Sequence, residues 1–320
     1  MDHGNVSVEI AQGLLALRQR IQAANVPPSH LDKSLNIATW NIREFGKADR
    51  SDAAIHYIAE ILGQFDLIGI VELQENLADL GRVMKILGSD WRATFSDVIP
   101  DAAGNWERLA FVYNTRAVRF SGLAAEANPP RSHAGQEWET ELSWWRSPYF
   151  CSFQTGHYDF VALMVHIRWG NSLEGRRQEL QLLADWVAAK QKSKYVEDCD
   201  LIVMGDFNIP AVDDDLFKAI TSQGLQIPKA LRGLDHGSNL EKNKRYDQIL
   251  QSAQYDQSFT DVGGVMDFYL DESRIAELFP GGMSKAKFTF QMSDHLPLWM
   301  QVNTDVAGEE LHQIIRGRIA

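Results

Sequence analysis

The feature of this chain that most constrains its fold is a set of short apolar runs, each bounded by polar residues. Six such runs lie within residues 35–46, 67–72, 162–166, 201–210, 245–250 and 293–302. Short apolar runs of this length are typical of buried β-strands. The polar residues that bound them are Asn41, Arg43, Glu72, His166, Asp206, Asn208, Asp247, Asp294 and His295. Polar groups gathered at strand ends indicate a site carried on a rigid sheet.

The most informative of these ends are Gly205-Asp206-Phe207-Asn208 and Ser293-Asp294-His295-Leu296-Pro297. Each places an acid beside a second polar residue, an amide in the first string and an imidazole in the second. Such groups at sheet edges suit metal-assisted attack on a phosphate ester. In a regular strand, alternate side chains point the same way, so we expect Asp206 and Asn208 to reach one phosphate together.

Helical periodicity separates the apolar runs. It predicts helices at residues 5–24, 52–63, 76–87 and 173–192, and a short terminal helix at 307–320. Residues 121–147 are predicted to form a long loop, and residues 228–245 a second loop with a basic character. Strands alternating with helices indicate two packed sheets with helices outside.

Composition and charge narrow the class of protein. The chain has 320 residues and a net charge of −12, so a protein that grips nucleic acid mainly by charge is disfavoured. No run is apolar and long enough to span a bilayer, and the N-terminus does not have the pattern of a secretory signal. Cys151 and Cys199 could form one disulfide, but two reduced core thiols are the preferred prediction, which favours the cytoplasm.

With these motifs in this order, the chain resembles the endonuclease/exonuclease/phosphatase superfamily, and within it the deoxyribonuclease I-like branch. The resemblance rests on WNIREFG at 40–46, GDFN at 205–208, YDQIL at 246–250 and SDHLP at 293–297. It implies a four-layer α/β sandwich with two packed mixed β-sheets flanked by helices. It covers residues 35–304, which leaves residues 1–34 as an N-terminal helical extension and residues 305–320 as a C-terminal tail.

The resemblance also implies a divalent-metal site and substrate contacts. Glu72, Asn41 and Asp294 are expected to bind Mg²⁺ or Mn²⁺, which prefer oxygen ligands. Arg43 and Arg146 are expected to contact a substrate phosphate, because a guanidinium can fork onto phosphate oxygens. As isolated residues, Asn41 also fits a turn amide and Arg43 a surface ion pair.

The same resemblance implies an acid–base site with two histidines. Asp206 orients or activates a water molecule, and Asn208 donates to a phosphate oxygen. His295 is expected to be oriented by Asp247 and to assist at the scissile phosphate. His166, with Glu107 as its carboxylate partner, is expected to protonate the leaving oxygen.

The resemblance leads to one functional hypothesis and two alternatives. The hypothesis is a divalent-metal-dependent endonuclease acting on DNA. One alternative keeps the chemistry but acts on RNA or on a small phosphoester, such as an inositol phosphate or a phospholipid headgroup. The other is an inactive scaffold that keeps the fold. The N-terminal helix is a possible interaction element under each of them, and the oligomeric state is left open.

Overall fold

The computed structural model describes residues 1–31, 33–99, 106–129, 132–134, 137–139, 143–170, 172–196, 198, 200–234, 237–252, 259–305, 311, 314–315 and 317. Within them the chain forms two mixed β-sheets packed face to face, with helices on the outside. The fold class predicted from the sequence is thereby confirmed. The apolar runs identified above all contribute to the buried core.

The first sheet consists of β1 (Ser34–Phe45), β2 (Leu67–Gln74), β3 (Trp91–Phe95), β4 (Glu107–Asn114), β12 (Phe259–Val265) and β13 (Leu298–Asn303). Their order across the sheet is β12-β13-β1-β2-β4-β3. The central strands β1 and β2 are parallel, and the other neighbouring pairs are antiparallel.

The second sheet consists of β5 (Arg119–Glu126), β8 (Tyr149–Thr155), β9 (Tyr158–His166), β10 (Leu201–Asp206) and β11 (Asp247–Ser252). Their order across the sheet is β11-β10-β9-β8-β5, in which β9 and β10 are parallel and the other neighbouring pairs are antiparallel. Outside this sheet, β6 (Ser132–Ala134) and β7 (Glu137–Glu139) form a separate hairpin. The prediction of a continuous loop at 121–147 is therefore wrong, because β5 pairs with β8 through residue 126.

The helices begin where the sequence supplies capping side chains. The helices are α1 (Val8–Ala23), α2 (Asp52–Leu62), α3 (Ala78–Leu87), α4 (Leu173–Gln191), α5 (Asp215–Thr221), α6 (Lys229–Arg232), α7 (Ile275–Leu278) and α8 (Lys285–Gln291). The side chain of Ser51 accepts a hydrogen bond from the backbone of α2, and that of Ser172 accepts one from the backbone of α4. These bonds satisfy amide groups that have no partner inside the helix. The helices predicted at 5–24, 52–63, 76–87 and 173–192 are confirmed, whereas the predicted loop at 228–245 contains α6.

The N-terminal helix α1 packs on the domain itself. Its buried face contacts α2 and α7, and the buried guanidinium of Arg20 donates to the backbone oxygens of Phe268 and Arg274. This apolar face is therefore covered by the chain's own elements. The proposed division of the chain at residues 34 and 304 stays a prediction, and most of the predicted terminal helix at 307–320 lies outside the described residues.

The two sheets approach closely at a glycine in β2. A Cβ atom added at Gly69 would lie 2.0 Å from the sulfur of Met164 in β9, so a side chain there would require Met164 to move. Cys151 is buried and free in β8, and Cys199 lies outside the described residues. Among the described helices, none is long and apolar enough to cross a membrane.

Candidate active site

The predicted site residues gather at one edge of the molecule, where both parallel strand pairs end. The first sheet carries Asn41 on β1, Glu72 on β2, Glu107 on β4 and His295 just before β13, and the second sheet carries His166 on β9, Asp206 on β10 and Asp247 on β11. Parallel strands end, and their antiparallel neighbours begin, at the same edge of a sheet, so these side chains converge once the sheets pack.

The carboxylate of Asp206 lies at the centre of this group. Its Oδ2 accepts a hydrogen bond from Nδ2 of Asn41 at 3.1 Å. The Nε2 atoms of His166 and His295 each lie 3.9 Å from the same oxygen. These two separations exceed a direct hydrogen bond, and they leave room for an oxygen atom bonded to an imidazole and to Asp206 together.

The backbone around Asp206 turns sharply, which corrects one expectation. Gly205 has φ +136°, and an added Cβ would lie 2.0 Å from the carbonyl oxygen of Val165. Strand β10 ends at Asp206, and Asn208 has φ +52° and donates its backbone N–H to Oδ1 of Asp206 at 2.8 Å. The two side chains are therefore related by an Asx turn and not by strand alternation.

The side chain of Asn208 is held inside the protein. Its Nδ2 donates to the carbonyl oxygen of Ile167 at 2.7 Å, so this amide links the end of β9 to the turn after β10. Donation from this nitrogen to a phosphate oxygen, as expected from the sequence, requires that bond to break or to be shared. The catalytic role of Asn208 stays a prediction.

His166 belongs to a buried cluster with Glu107 and Arg146. Its Nδ1 lies 2.8 Å from Oε2 of Glu107, and Arg146 contacts both oxygens of Glu107, at 2.8 Å and 3.1 Å. Burial and the nearby Arg146 act to lower the pKa of His166, but the carboxylates of Glu107 and Asp206 outweigh them and raise it. This favours the protonated imidazole that a general acid requires.

His295 has a similar arrangement on the other side of Asp206. Its Nδ1 lies 2.7 Å from Oδ2 of Asp247, and that carboxylate also accepts a hydrogen bond from the hydroxyl of Ser238. Burial acts to lower the pKa of His295, but Asp247, Asp206 and Asp294 raise it well above 6.5. A hydrogen bond from Nδ1–H to Asp247 leaves Nε2 directed at the centre of the site.

The donor set around Glu72 fits a hard divalent cation. Glu72 lies at an irregularity in strand pairing and has φ +63°, a strained conformation for a non-glycine residue. Its Oε1 accepts from Nδ2 of Asn41 at 3.0 Å, so one amide contacts two carboxylates. Oδ1 of Asn41 is buried without a hydrogen-bond partner among the described residues. The carboxylate of Glu72 and this orphaned amide oxygen are donor atoms of the kind that Mg²⁺ or Mn²⁺ accepts.

A second group of candidate ligands overlaps the first. Asp206, Asp247 and His295 each bring one ligand atom within 4.8 Å of the others. Asp294, the third metal ligand expected from the sequence, is 44% exposed and lies 3.7 Å from Arg43. Its part in binding a metal stays a prediction, as do those of Glu72 and Asn41.

The two arginines expected to bind phosphate differ in their surroundings. Arg43 is one-third exposed at the rim, donates to the hydroxyl of Thr289, and lies 3.9 Å over the ring of Phe290. Arg146 is 10% exposed and is committed to Glu107, although its Nη1 is buried without a hydrogen-bond partner among the described residues. The structure therefore places Arg146 as a partner of Glu107, and phosphate binding by either arginine stays a prediction.

Sequence reasoning missed two residues that hold the site together. Ser238 donates to Asp247, and Arg176 of α4 donates to the carbonyl oxygens of Asn208 and Gly170 at 2.9 Å and 2.7 Å. Neither lies in a motif or at a strand end. Their roles arise from tertiary contacts, which periodicity and spacing do not record.

Comparisons with known proteins show the family to which the chain is similar. The profile of the Endonuclease/Exonuclease/phosphatase family matches residues 38–265. A deoxyribonuclease of Thioalkalivibrio sp. (strain K90mix) is 24% identical over 304 residues, which covers 92% of this chain and 76% of that protein. Human deoxyribonuclease-1 is 26% identical over 206 residues, which covers 63% of this chain and 67% of that protein.

Among solved structures, the human Nocturnin catalytic domain with bound sulfate shares the fold. Its TM-score is 0.57 at 15% identity, over 86% of this chain and 96% of that one. This likeness supports the two-sheet architecture, and the family match extends over most of the chain. The chain therefore belongs to the endonuclease/exonuclease/phosphatase family of hydrolases, which act on phosphoester bonds.

Proposed function

We propose that this protein is a divalent-metal-dependent endonuclease that hydrolyses phosphodiester bonds in DNA. One observation carries the proposal: Oδ2 of Asp206 lies 3.9 Å from Nε2 of each of two histidines, and each histidine is backed by a buried carboxylate. A carboxylate between two oriented imidazoles supplies both an acceptor and donors of protons at one phosphorus centre.

Asp206 and His295 act on the attacking side. An oxygen about 2.8 Å from both fits between atoms that are 3.9 Å apart. Asp206 accepts the proton of a water molecule at this position as the water oxygen bonds to phosphorus. His295, whose pKa is raised by its carboxylate neighbours against the effect of burial, donates a hydrogen bond to a non-bridging phosphate oxygen.

His166 acts on the leaving side. As the bond between phosphorus and the leaving oxygen breaks, Nε2 of His166 gives its proton to that oxygen. Glu107 keeps the imidazole oriented and favours its protonated form. Asp206, 3.9 Å away, holds the proton taken from water, and transfer to His166 through solvent restores the starting state.

Enzymes of this family depend on a divalent cation. Mg²⁺ or Mn²⁺ held by Glu72, Asn41 and Asp294 would supply positive charge at the phosphate during the reaction. The protein's own contribution is to fix these oxygens in place. Glu72 is held by the backbone N–H of Glu44 and by Asn41, so its orientation is set before any substrate binds.

DNA is proposed as the substrate because the aligned relatives from Thioalkalivibrio and from human are named deoxyribonucleases. A second candidate is the same chemistry on RNA or on a small phosphoester. The net charge of −12 favours the small phosphoester, because an acidic protein binds a polyanion weakly. A cytoplasmic location is part of the proposal, since Cys151 is buried and free and reduced thiols are usual there.

The test is nicking of supercoiled plasmid by the wild type, Asp206→Asn and Asp215→Asn, each with Mg²⁺, Mn²⁺ or EDTA. Asp215 is a matched control, since its side chain is 84% exposed and contacts Lys218 on the surface. We expect metal-dependent nicking by the wild type and by the control but not by Asp206→Asn. Nicking by Asp206→Asn at the wild-type rate would refute the site.

The substrate is tested separately with RNA, bis-p-nitrophenyl phosphate and inositol phosphates. Hydrolysis of one of these without plasmid nicking would replace DNA by the second candidate while keeping the chemistry. An absence of turnover on every substrate would favour an inactive scaffold.

A further inference from the structure

An exposed tryptophan lies beside the site and has no role in the proposed chemistry. Trp169 follows β9 three residues after His166, and 66% of it is exposed. Its ring meets that of Tyr246 edge-on, with centroids 5.7 Å apart, and the Tyr246 ring centroid is 5.9 Å from that of His295. Trp169 and Tyr246, here called the aromatic shelf, thus extend from a site histidine to the solvent.

The Trp169 ring of the shelf packs against a buried arginine. The guanidinium of Arg176 lies over the Trp169 ring, 5.2 Å from its centroid. Arg176 is itself buried and is fixed by the carbonyl oxygens of Asn208 and Gly170. One face of the indole therefore packs on a cation anchored to the turn after Asp206. Because 66% of the residue is exposed, part of its ring surface is open to solvent, and a flat ligand can stack there at little cost in side-chain entropy.

Three arginines near the site lie beside carboxylates, which reduces the positive charge they offer to a polyanion. Arg146 is bound to Glu107, Arg168 to Glu179, and Arg43 lies 3.7 Å from Asp294. The whole chain carries a net charge of −12. Attraction to phosphates alone is weak in such a protein, whereas stacking of a base on an aromatic ring does not depend on net charge.

We propose that the aromatic shelf binds an unstacked nucleobase adjacent to the scissile phosphate, so that the enzyme prefers single-stranded or locally unpaired DNA. In a closed duplex both faces of each base are covered by neighbouring bases. Only a base that has left the stack can lie on the exposed ring surface of Trp169. This inference rests on the proposed nuclease function and specifies the form of its substrate.

The test compares KM for a short single-stranded thymidine oligomer with KM for the same oligomer carrying abasic residues. The variants are Trp169→Ala, Trp169→Phe and a control, Tyr195→Ala. Tyr195 is also an exposed aromatic, at 83%, but it follows the C-terminal end of α4, away from the strand ends that carry the site.

We expect Trp169→Ala to raise KM for the thymidine oligomer about tenfold, or about 1.4 kcal/mol. The penalty should shrink to less than about twofold on the abasic oligomer, because no base remains to stack. Trp169→Phe should recover most of the loss, and Tyr195→Ala should match the wild type on both oligomers. The wild type should also have a lower KM for the single strand than for the duplex, and Trp169→Ala should narrow that difference.

Equal penalties on both oligomers, or no penalty on either, would overturn the shelf while leaving the proposed function intact. If the wild type cleaves neither the oligomers nor the plasmid, the proposed nuclease function is refuted, and the proposal for the aromatic shelf with it.

Discussion

Replacing Glu107 by glutamine tests whether the buried cluster on the leaving side both stabilises the fold and serves the reaction. Glu107 is 2% exposed and contacts Nδ1 of His166 and two nitrogens of Arg146. Glutamine keeps the shape but turns one accepting oxygen into an NH₂ group. The guanidinium is then left without a counter-charge, which for a buried pair costs about 3–5 kcal/mol in the free energy of unfolding.

The effect on catalysis follows from the same contacts. A carboxylate that orients a functional imidazole typically contributes about 10–100-fold to activity, which corresponds to about 1.4–2.7 kcal/mol in activation free energy. Loss of the negative charge also lowers the pKa of His166, which Glu107 raises against the effect of burial. The alkaline fall in kcat/KM, where His166 loses its proton, should therefore move to lower pH in Glu107→Gln.

Glu60→Gln is a matched control for this variant. Glu60 is also buried and also contacts one histidine and one arginine, His3 and Arg18, but it lies in α2, away from the site. Arg18 is half exposed and can be rehydrated, so we expect a loss of roughly 1 kcal/mol and no change in the pH profile.

The assay pairs urea unfolding with initial cleavage rates across pH, at a temperature where circular dichroism shows every variant to be folded. An unchanged alkaline limb in Glu107→Gln, or an equal loss of kcat/KM in Glu60→Gln, would refute the assignment of Glu107 to His166.

The other predictions concern the centre of the site, the contact between the sheets and the N-terminal contacts. His295→Ala should lower kcat by about 10²–10⁴-fold, and nicking rates at saturating substrate measure this; a loss below tenfold would contradict the assigned role. Gly69→Ala should destabilise the protein by about 1–3 kcal/mol, because its Cβ would lie 2.0 Å from the sulfur of Met164; an unchanged urea midpoint would show that the sheets can adjust. Burial acts to raise the pKa of Glu60, but hydrogen bonds from Arg18 and His3 lower it below 4.5. Its contribution is therefore present above pH 4.5 and is lost as pH falls through the lowered pKa. The free energy of unfolding should fall more steeply in the wild type than in Glu60→Gln below pH 4.5, and parallel curves would contradict this.

The sequence predicted those parts of the structure that depend on local pattern. The buried strands and four of the helices follow from periodicity, and the gathering of polar strand ends was expected of a site carried on a rigid sheet. The pairing of His166 with Glu107, which the family resemblance implied, is present in the structure. Their spacing of 59 residues carries no such information by itself.

The parts that were wrong or missed depend on backbone conformation and on tertiary contacts. Asn208 does not alternate with Asp206, because Gly205 and Asn208 both have positive φ and end the strand in a turn. The sequence does not reveal that Arg146 pairs with Glu107, since a buried and an exposed arginine cannot be told apart from the sequence alone. Trp169 stands out only once its ring is placed over Arg176.

Three hydrogen bonds of the site join the first sheet to the second. Asn41 on β1 reaches Asp206 on β10, Glu107 on β4 reaches His166 on β9, and Asp247 on β11 reaches His295 just before β13. No single sheet therefore contains a complete acid–base pair. The spacing of the sheets, which bare Gly69 allows to be small at Met164, then sets the distance between each histidine and its carboxylate. Packing between the sheets inside the core therefore determines the geometry at the reacting phosphate.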